Sequence, residues 1–241
     1  MRFILEQSHH EIYASAGGLA VVGPIINRYS GLKKRLKSVP LRHGIAHIDL
    51  VRTYLWLLCQ GKNDFEAAEG IRDDVFFQHA LGIARLPSSA RLRQRFDAQA
   101  PALTAAADDC LAPLLSNLKA TVTALPSGHV ALHADVFCLD NGKTSKEVVS
   151  RTYHVYEGYA LIGAYLGEEG WCVGLELRPG EQHSQKDFAF FLDRVLPRAK
   201  ALSGSRRLLV TLDGAHDAAA NREQLQGEDV DLQLVAHDGF F

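Results

Sequence analysis

Long apolar runs are missing from this sequence. No stretch of 18 or more uncharged apolar residues occurs in its 241 positions, whereas a membrane-spanning helix needs about 20. The N-terminal segment MRFILEQSHHEIY reaches Glu6 too early to contain the apolar core of a secretory signal. We therefore expect a cytoplasmic protein without a membrane partner.

Cysteine is scarce as well. The four cysteines stand at positions 59, 110, 138 and 172, and none of them belongs to a CxxC pair. Zinc ribbons and redox-active dithiols use closely spaced cysteines, so the spacing argues against both. We expect four reduced thiols, as is usual in cytoplasmic proteins.

An excess of charge of one sign is also absent from the whole chain, but the two halves differ. The formal net charge is −2. Residues 1–125 carry fifteen Lys and Arg against eleven Asp and Glu, while residues 126–241 carry eleven against seventeen. A basic half followed by an acidic half indicates a part that binds a polyanion beside a part that holds cations.

The first half has the apolar spacing of helices. Apolar residues recur every three or four positions in four segments, and polar caps or prolines mark their ends. Asn63 or Asp64 begins the second helix, Ser88 or Ser89 begins the third, and Pro113 marks a break or kink in the fourth. The predicted helices cover 44–61, 63–83, 88–100 and 102–121.

Near residue 121 the apolar period changes from 3.6 to 2, which predicts strands. The predicted strands cover 129–140, 147–167, 170–180, 206–213 and 230–236, with helices at 184–202 and 216–226. Short connections join the first three strands, which should therefore be antiparallel. The later strands follow helical crossovers and should be parallel.

This element order is that of an RNase H-like core. The predicted fold class is α/β, with an RNase H-like mixed sheet preceded by an α-helical region. No helix follows the last predicted strand, so we expect the core to be incomplete.

Two acids should meet in such a sheet. The first strand is central in this topology, and the strand after the first crossover helix pairs beside it, which brings Asp135 close to Asp213. Neighbouring carboxylates repel each other, and a hard divalent cation such as Mg²⁺ or Mn²⁺ would neutralise them. Other interpretations remain open: Asp213 as a turn residue or helix N-cap, and Asp135 as a solvent-facing strand residue. Asp140, in DNGK, reads as a hairpin turn.

Several motifs in the second half resemble those of a known family. The run is HADVFCLDNGKTSKEVVSRTYHVYEGYALIGAYLGEEGWCVGLELRPGEQHS, followed by FLDRVLPRA and LLVTLDGAHDA. It resembles the catalytic region of bacterial insertion-sequence transposases of the DDE type, in particular the group-one DDE domain. The resemblance extends upstream through PSSARLRQRFD and covers roughly residues 40–225.

The resemblance implies a DNA nuclease and strand transferase in which three acids hold two Mg²⁺ or Mn²⁺ ions. By position, the first acid falls on Asp135 and the second on Asp213, as catalytic and metal-binding residues. Tyr159, Arg178 and His183 fall near the active face. The implied domains are a helical DNA-binding region, 1–125, and a DDE catalytic core, 126–241.

Some positions depart from the family pattern. His133 stands where the family usually has Asp, and Gly214-Ala215 replaces the usual Ser-Gly. The family's third acid lies on a helix beyond the last core strand. Glu223 and Glu228 come too early for it, and Asp238 is not on the expected helix. The sequence therefore reads as a copy truncated before the third acid and inactive in transposition as a fragment.

Two clusters of cations in the first half are candidates for DNA contacts. GLKKRLK contains Lys33, Lys34, Arg35 and Lys37, which would bind phosphates. SSARLRQRFD contains Arg91, Arg93 and Arg95 on a helix that should follow another helix across a short turn and could be the second helix of a helix-turn-helix. The alternatives are a solvated helix face for the first cluster and salt bridges to acids such as Asp97 for the second.

Three functions remain from the sequence. The first is a DDE transposase that binds double-stranded DNA, both element ends and target, as a homo-oligomer associated with the bacterial nucleoid. The second is a non-catalytic DNA-binding relic of such a transposase. The third is an unrelated metal-dependent nuclease.

Overall fold

The computed structural model describes residues 9, 17–41, 43–62, 64–144, 146–216, 219–227 and 230–235. The chain divides into two compact units, one up to Leu118 and one from Lys119 onward. We call them the helical unit and the sheet unit. No helix among the described residues is long and apolar enough to cross a bilayer.

The helical unit contains six α-helices and one 3₁₀ helix among its described residues. They are α1 (Leu19–Tyr29), α2 (Leu32–Leu36), α3 (His47–Cys59), the 3₁₀ helix (Phe65–Ile71), α4 (Val75–Leu81), α5 (Ser89–Asp108) and α6 (Leu111–Asn117).

Side-chain caps explain where three of these elements begin. The Asp64 carboxylate accepts a hydrogen bond from the Ala67 amide, and Ser88 Oγ accepts one from the Arg91 amide, so both predicted starts are confirmed. The Asp74 carboxylate caps α4. Because two caps lie ten positions apart, the predicted helix over 63–83 is wrong, and a 3₁₀ helix and a short α-helix replace it.

The predicted break at Pro113 also lies elsewhere. Helix α5 continues through Pro101 to Asp108, and α6 begins at Leu111 after the two turn residues Asp109 and Cys110. Pro113 is the third residue of α6, where a missing amide hydrogen costs no intrahelical bond.

Close backbone contact holds α1 against α4. A Cβ built on Gly23 would lie 1.9 Å from the carbonyl oxygen of Ala80. Glycine is required here because any side chain would separate the two helices. The apolar core beside this contact includes Trp56 and Phe77, whose ring centroids lie 4.8 Å apart.

The sheet unit contains six strands and two α-helices among its described residues. They are β1 (Val130–Asp140), β2 (Ser150–Arg151), β3 (Glu157–Leu166), β4 (Trp171–Pro179), α7 (Phe188–Ser203), β5 (Leu208–Asp213), α8 (Ala219–Gly227) and β6 (Asp231–Val235).

Strand β1 is central, between β3 and β5. Strands β2 and β4 both pair with β3, and β6 pairs with β5. The β1–β3, β2–β3 and β3–β4 pairs are antiparallel, whereas β1–β5 and β5–β6 are parallel. The predicted antiparallel meander, followed by parallel crossover strands, is confirmed, but the single strand predicted over 147–167 is wrong, because a turn divides it into β2 and β3.

Helix α7 covers one face of this mixed sheet. Its residues Phe188, Phe191, Leu192 and Val195 are fully buried. A Cβ on Gly174 of β4 would lie 2.5 Å from Val195 Cγ2, so the glycine allows α7 to approach the sheet. Polar side chains that need solvent can therefore lie on the opposite face of the sheet.

Candidate functional site

Strand register brings Asp135 and Asp213 to the same place. In the parallel β1–β5 pair, Ala134 stands opposite Leu212, and each acid is the next residue of its strand. Ala134 and Leu212 are buried. Because successive side chains alternate between the faces of a sheet, both acids point to the face opposite α7. The predicted juxtaposition of the two acids is confirmed, and their catalytic role stays a prediction.

The two carboxylates line one cleft with a volume of about 600 Å³. Its walls are Asp135–Val136 at β1, Arg151–Tyr153 at the β2–β3 turn, Gly180–Ser184 after β4, and Asp213 at the end of β5. Four segments that are distant in sequence thus surround the pair of acids.

Glycines at the base of the cleft let these segments pack closely. A Cβ on Gly158 would lie 2.1 Å from the Leu139 carbonyl oxygen, and a Cβ on Gly180 would lie 2.2 Å from the Ser150 carbonyl oxygen. The glycines of the GY and LRPG motifs are therefore packing residues, required where backbones approach each other.

The pKa of Tyr153 responds to the negative charge of the cleft. Its hydroxyl donates to the Val136 carbonyl oxygen over 3.3 Å. Burial of the hydroxyl, Cys138 and the two carboxylates Asp135 and Asp213 raise the pKa of Tyr153 from 10.0 to about 12, burial having the largest effect. Both acids therefore act on the same phenol, as expected if they face the same space.

The Asp213 carboxylate contacts a buried residue, His216, that the sequence did not indicate. His216, in the single turn of 3₁₀ helix Gly214–His216, is fully buried, and its Nδ1 contacts the Asp213 carboxylate. The spacing of three residues after a strand-terminal acid was the available signal, but nothing in the sequence showed that His216 would be buried.

Of the other residues predicted for the active face, His183 lies in the cleft and Arg178 lies below it. His183 lines the cleft. Arg178 is buried beneath it, where its Nε donates to Glu176 over 2.7 Å and its Nη1 to the carbonyl oxygens of Ser184 and Lys186. Arg178 therefore supports the loop that carries His183.

Tyr159 does not line the cleft. It is buried, and its hydroxyl donates to the carbonyl oxygen of Glu147 over 3.0 Å. Glu147 lies between β1 and β2. Tyr159 therefore anchors that connection and is not on the active face.

The acid pair is suited to one Mg²⁺ or Mn²⁺ ion whose remaining ligands are not protein side chains. Among the described residues there is no group of three or more His, Cys, Asp and Glu side chains that could hold a metal. Mg²⁺ is commonly bound by one or two carboxylates, with water and substrate phosphates as its other ligands. Asp135 and Asp213 supply that number. Glu228 and Asp238 lie outside the described residues.

The predicted basic clusters of the helical unit differ in their surroundings. Lys33, Lys34 and Lys37, in and beside α2, are exposed, and Arg35 is half-buried. Their exposure leaves the three ammonium groups accessible to solvent and to a polyanion.

The arginines of α5 are less uniform. Arg91 is exposed, Arg93 is paired with Glu66, and the half-buried Arg95 donates to the Ile45 carbonyl oxygen and contacts His47 Nδ1 at 3.3 Å. The predicted alternative of a salt bridge on this helix is correct for Arg93, but its partner is Glu66.

A short helix-turn-helix connection is not found before α5. Seven residues, 82–88, separate the end of α4 from the start of α5, whereas helix-turn-helix units use a turn of about 3–4 residues. The Ser88 cap was predicted correctly, but the short turn was wrong.

No family model and no curated protein matches this chain. Among solved structures, a piggyBac transposase synaptic complex with hairpin DNA is 11% identical, with a TM-score of 0.41 over 91% of this chain and 49% of that one. A Mos1 transposase paired-end complex with the left transposon end is 14% identical, with a TM-score of 0.33 over 83% and 64%.

A Mos1 mariner paired-end complex with Mn is 16% identical, with a TM-score of 0.30 over 83% of this chain and 65% of that one. The chain thus spans about half the length of the piggyBac protein and about two thirds of Mos1.

Proposed function

We propose that the sheet unit cleaves phosphodiester bonds of DNA with a divalent cation held by Asp135 and Asp213, as part of a DDE-type insertion-sequence transposase. The observation that carries this proposal is the β1–β5 register, which directs both acids into one cleft. The motifs shared with the DDE family support the same assignment.

Residues of the cleft can be assigned separate tasks. Asp135 and Asp213 bind the cation, which when bound neutralises phosphate charge and makes water a better nucleophile. Arg151 and His183, both exposed at the cleft wall, contact the flanking phosphates of the strand to be cut. Their cationic or hydrogen-bonding heads suit phosphate oxygens.

The third acid that the family resemblance implies lies on a helix beyond the last core strand, and no described residue brings an acid from such a helix to the cleft; the third acid that lines the cleft, Glu181, belongs to the loop after β4. Glu223 lies on α8 and does not line the cleft. We propose that two acids suffice for cation binding, and that complete strand transfer needs a further carboxylate. Without cleavage, the chain would be the DNA-binding relic considered above.

Nicking of supercoiled plasmid DNA with Mg²⁺ or Mn²⁺ tests the proposal. We expect nicking by the wild type and a loss of about 10²–10³-fold in Asp135→Asn and Asp213→Asn, because each removes a group that organises charge at the reacting phosphate. Asp140→Asn is the matched control, since Asp140 ends the same strand but accepts from the Gly142 amide outside the cleft.

Two results would contradict this assignment. Undiminished nicking by both acid variants would place the chemistry elsewhere and favour an unrelated nuclease. DNA binding without nicking by the wild type, at any concentration of either cation, would favour the non-catalytic relic.

We further propose that the helical unit binds double-stranded DNA through Lys33, Lys34 and Lys37. Replacing the three lysines by alanine should weaken binding and flatten the dependence of affinity on salt, by about 0.9 in the log–log slope for each phosphate that is no longer neutralised. Arg93→Ala should change the slope little, because Glu66 already pairs with Arg93. Fluorescence anisotropy between about 50 and 200 mM salt measures both effects.

An equal slope for the triple variant and the wild type would exclude the lysines from the interface. The same proposal gives the chain element ends and target DNA as partners, a second copy of itself in the assembly, and a place on the bacterial nucleoid.

A further inference from the structure

His216 is a buried polar residue directly behind the candidate cation site. Its side chain has no solvent exposure. The imidazole lies against Phe188 of α7, with the ring centroids 4.4 Å apart. The backbone beside it is fixed as well, because Asn221 Nδ2 donates to the His216 carbonyl oxygen over 2.8 Å. The ring therefore has one packed position, between Phe188 and the Asp213 carboxylate.

The two ring nitrogens of His216 have different surroundings. Nδ1 contacts the Asp213 carboxylate, whereas Nε2 is buried without a hydrogen-bond partner among the described residues. An ionised carboxylate can only accept a hydrogen bond, so Nδ1 carries the proton and donates it. The arrangement thus aims one fixed donor at one oxygen of Asp213.

Asp213 needs such a partner because of where it lies. It is the last residue of β5, and Gly214 follows. Strand pairing through backbone hydrogen bonds therefore does not continue beyond it to fix the carboxylate. A carboxylate at this position could rotate about its last torsion, whose energy profile is broad. Hydrogen bonds to ligating carboxylates commonly set the orientation in which they bind a metal.

We infer that His216 is a positioning residue whose Nδ1–H holds Asp213 Oδ1, so that Oδ2 remains the oxygen offered to a divalent cation beside Asp135. This inference rests on the proposed function of the two acids. It assigns a role to a residue that touches neither DNA nor the cation, and it makes the cation affinity of the cleft depend on a donor at the Nδ1 position.

Two substitutions separate positioning from packing. His216→Asn retains an N–H donor close to the place of Nδ1, whereas His216→Gln places its donor nearer to Nε2. Both remove the ring from Phe188 and should destabilise the protein to a similar extent. Terbium(III) luminescence titration then measures cation affinity, and thermal unfolding without cation measures stability.

We expect His216→Asn to keep the wild-type cation affinity within about threefold and His216→Gln to weaken it by about 10–100-fold. Equal affinities for the two variants would overturn the positioning role, as would a loss in both that follows their stability. Failure of the proposed function looks different: the wild type would bind no terbium, or Asp135→Asn and Asp213→Asn would not change its affinity.

A measurement on the wild type covers the case in which a variant does not fold. ¹⁵N-histidine spectra should show His216 as the Nδ1–H tautomer, with a shift of that nitrogen when Mg²⁺ is added. An Nε2–H tautomer, or an Nδ1 signal indifferent to Mg²⁺ in a protein that binds the ion, would contradict the inference.

Discussion

The two units hold their charged side chains in opposite ways. In the sheet unit, strand pairing brings Asp135 and Asp213 into one cleft although 77 intervening positions separate them in the sequence. In the helical unit, five of the predicted cations are exposed, Arg35 and Arg95 are half-buried, and Arg93 is partly neutralised by Glu66. A backbone ladder fixes the first arrangement, whereas long exposed side chains determine the second.

This difference decides which charges a function can depend on. A carboxylate at the end of a paired strand keeps its place without a cost in side-chain entropy comparable to that of a lysine. Exposed cations are suited to a sequence-independent attraction to phosphate, which tolerates changes in position. Chemistry is therefore expected in the sheet unit and general affinity in the helical unit.

The largest expected effect tests whether the two units are separately stable. Gly23→Ala puts a Cβ 1.9 Å from the Ala80 carbonyl oxygen and should lower the unfolding free energy of the helical unit by about 3 kcal/mol or more, because backbone cannot move aside. Gly174→Ala meets the movable end of Val195 at 2.5 Å, so a loss of about 1–3 kcal/mol is expected in the sheet unit.

Trp56 and Trp171 report the two units separately in urea denaturation followed by fluorescence, with the other tryptophan replaced by phenylalanine. Gly70→Ala is the control in the helical unit and Gly227→Ala in the sheet unit, since a Cβ there meets nothing within 4 Å. If either glycine variant moved both transitions equally, the units would unfold as one cooperative body, and the comparison between them would fail.

A smaller effect is expected from the ion pairs of the cleft floor. Arg178→Met removes a buried guanidinium that binds Glu176 and two carbonyl oxygens of the loop 180–187. Such a loss should destabilise the sheet unit by about 1–3 kcal/mol, because these two carbonyl oxygens lose their donor. The Glu176 side chain is 31% exposed and still pairs with Arg194, so its part of the loss is small. Amide hydrogen exchange in the loop should become faster as well.

Arg194→Met is the matched control for Arg178. Arg194 pairs with the same Glu176, but its side chain is 45% exposed, and exposed pairs contribute about 0–1 kcal/mol. Equal losses for the two variants would mean that burial does not distinguish these pairs, and would weaken the contrast drawn here between fixed and surface charges.

Much of the sheet unit could be predicted from its sequence. The strand predicted over 170–180 is Trp171–Pro179, and the helix predicted over 184–202 is Phe188–Ser203. Alternating apolar residues and short connections determine both the strands and their pairing. The meeting of Asp135 and Asp213 follows from that pairing, so it was predictable too.

Side-chain contacts that cross between elements were not predictable. Burial of His216 depends on Phe188, from a helix that begins 28 positions earlier, and no periodic pattern carries that information. The pair between Glu66 and Arg93 is of the same kind. In the helical unit, even the secondary structure differed, because Asp74 supplies a second cap inside what one apolar period suggested was a single helix.

The smallest expected effect measures the electrostatic potential of the cleft directly. Tyr153, with a pKa of about 12, should ionise later than an ordinary tyrosine at 10.0. Asp135→Asn and Asp213→Asn should each lower that pKa part of the way, because burial, the largest cause, remains. Asp140→Asn is the control, since Asp140 raises the pKa of Tyr156 and is not among the causes for Tyr153. Tyrosine ¹³Cζ shifts, assigned with Tyr153→Phe, provide the measurement.

The same titration connects stability and cation binding. Folding favours the neutral phenol of Tyr153, so its contribution to stability is complete below pH 10.0 and is lost as the pH rises through about 12. Mg²⁺ bound between Asp135 and Asp213 would neutralise the two carboxylates and lower the pKa of Tyr153 in the wild type, but not in Asp135→Asn/Asp213→Asn. If Mg²⁺ did not change the pKa of Tyr153 in the wild type, the acid pair would not be a cation site. The sheet unit would then fix the positions of two carboxylates that bind no cation.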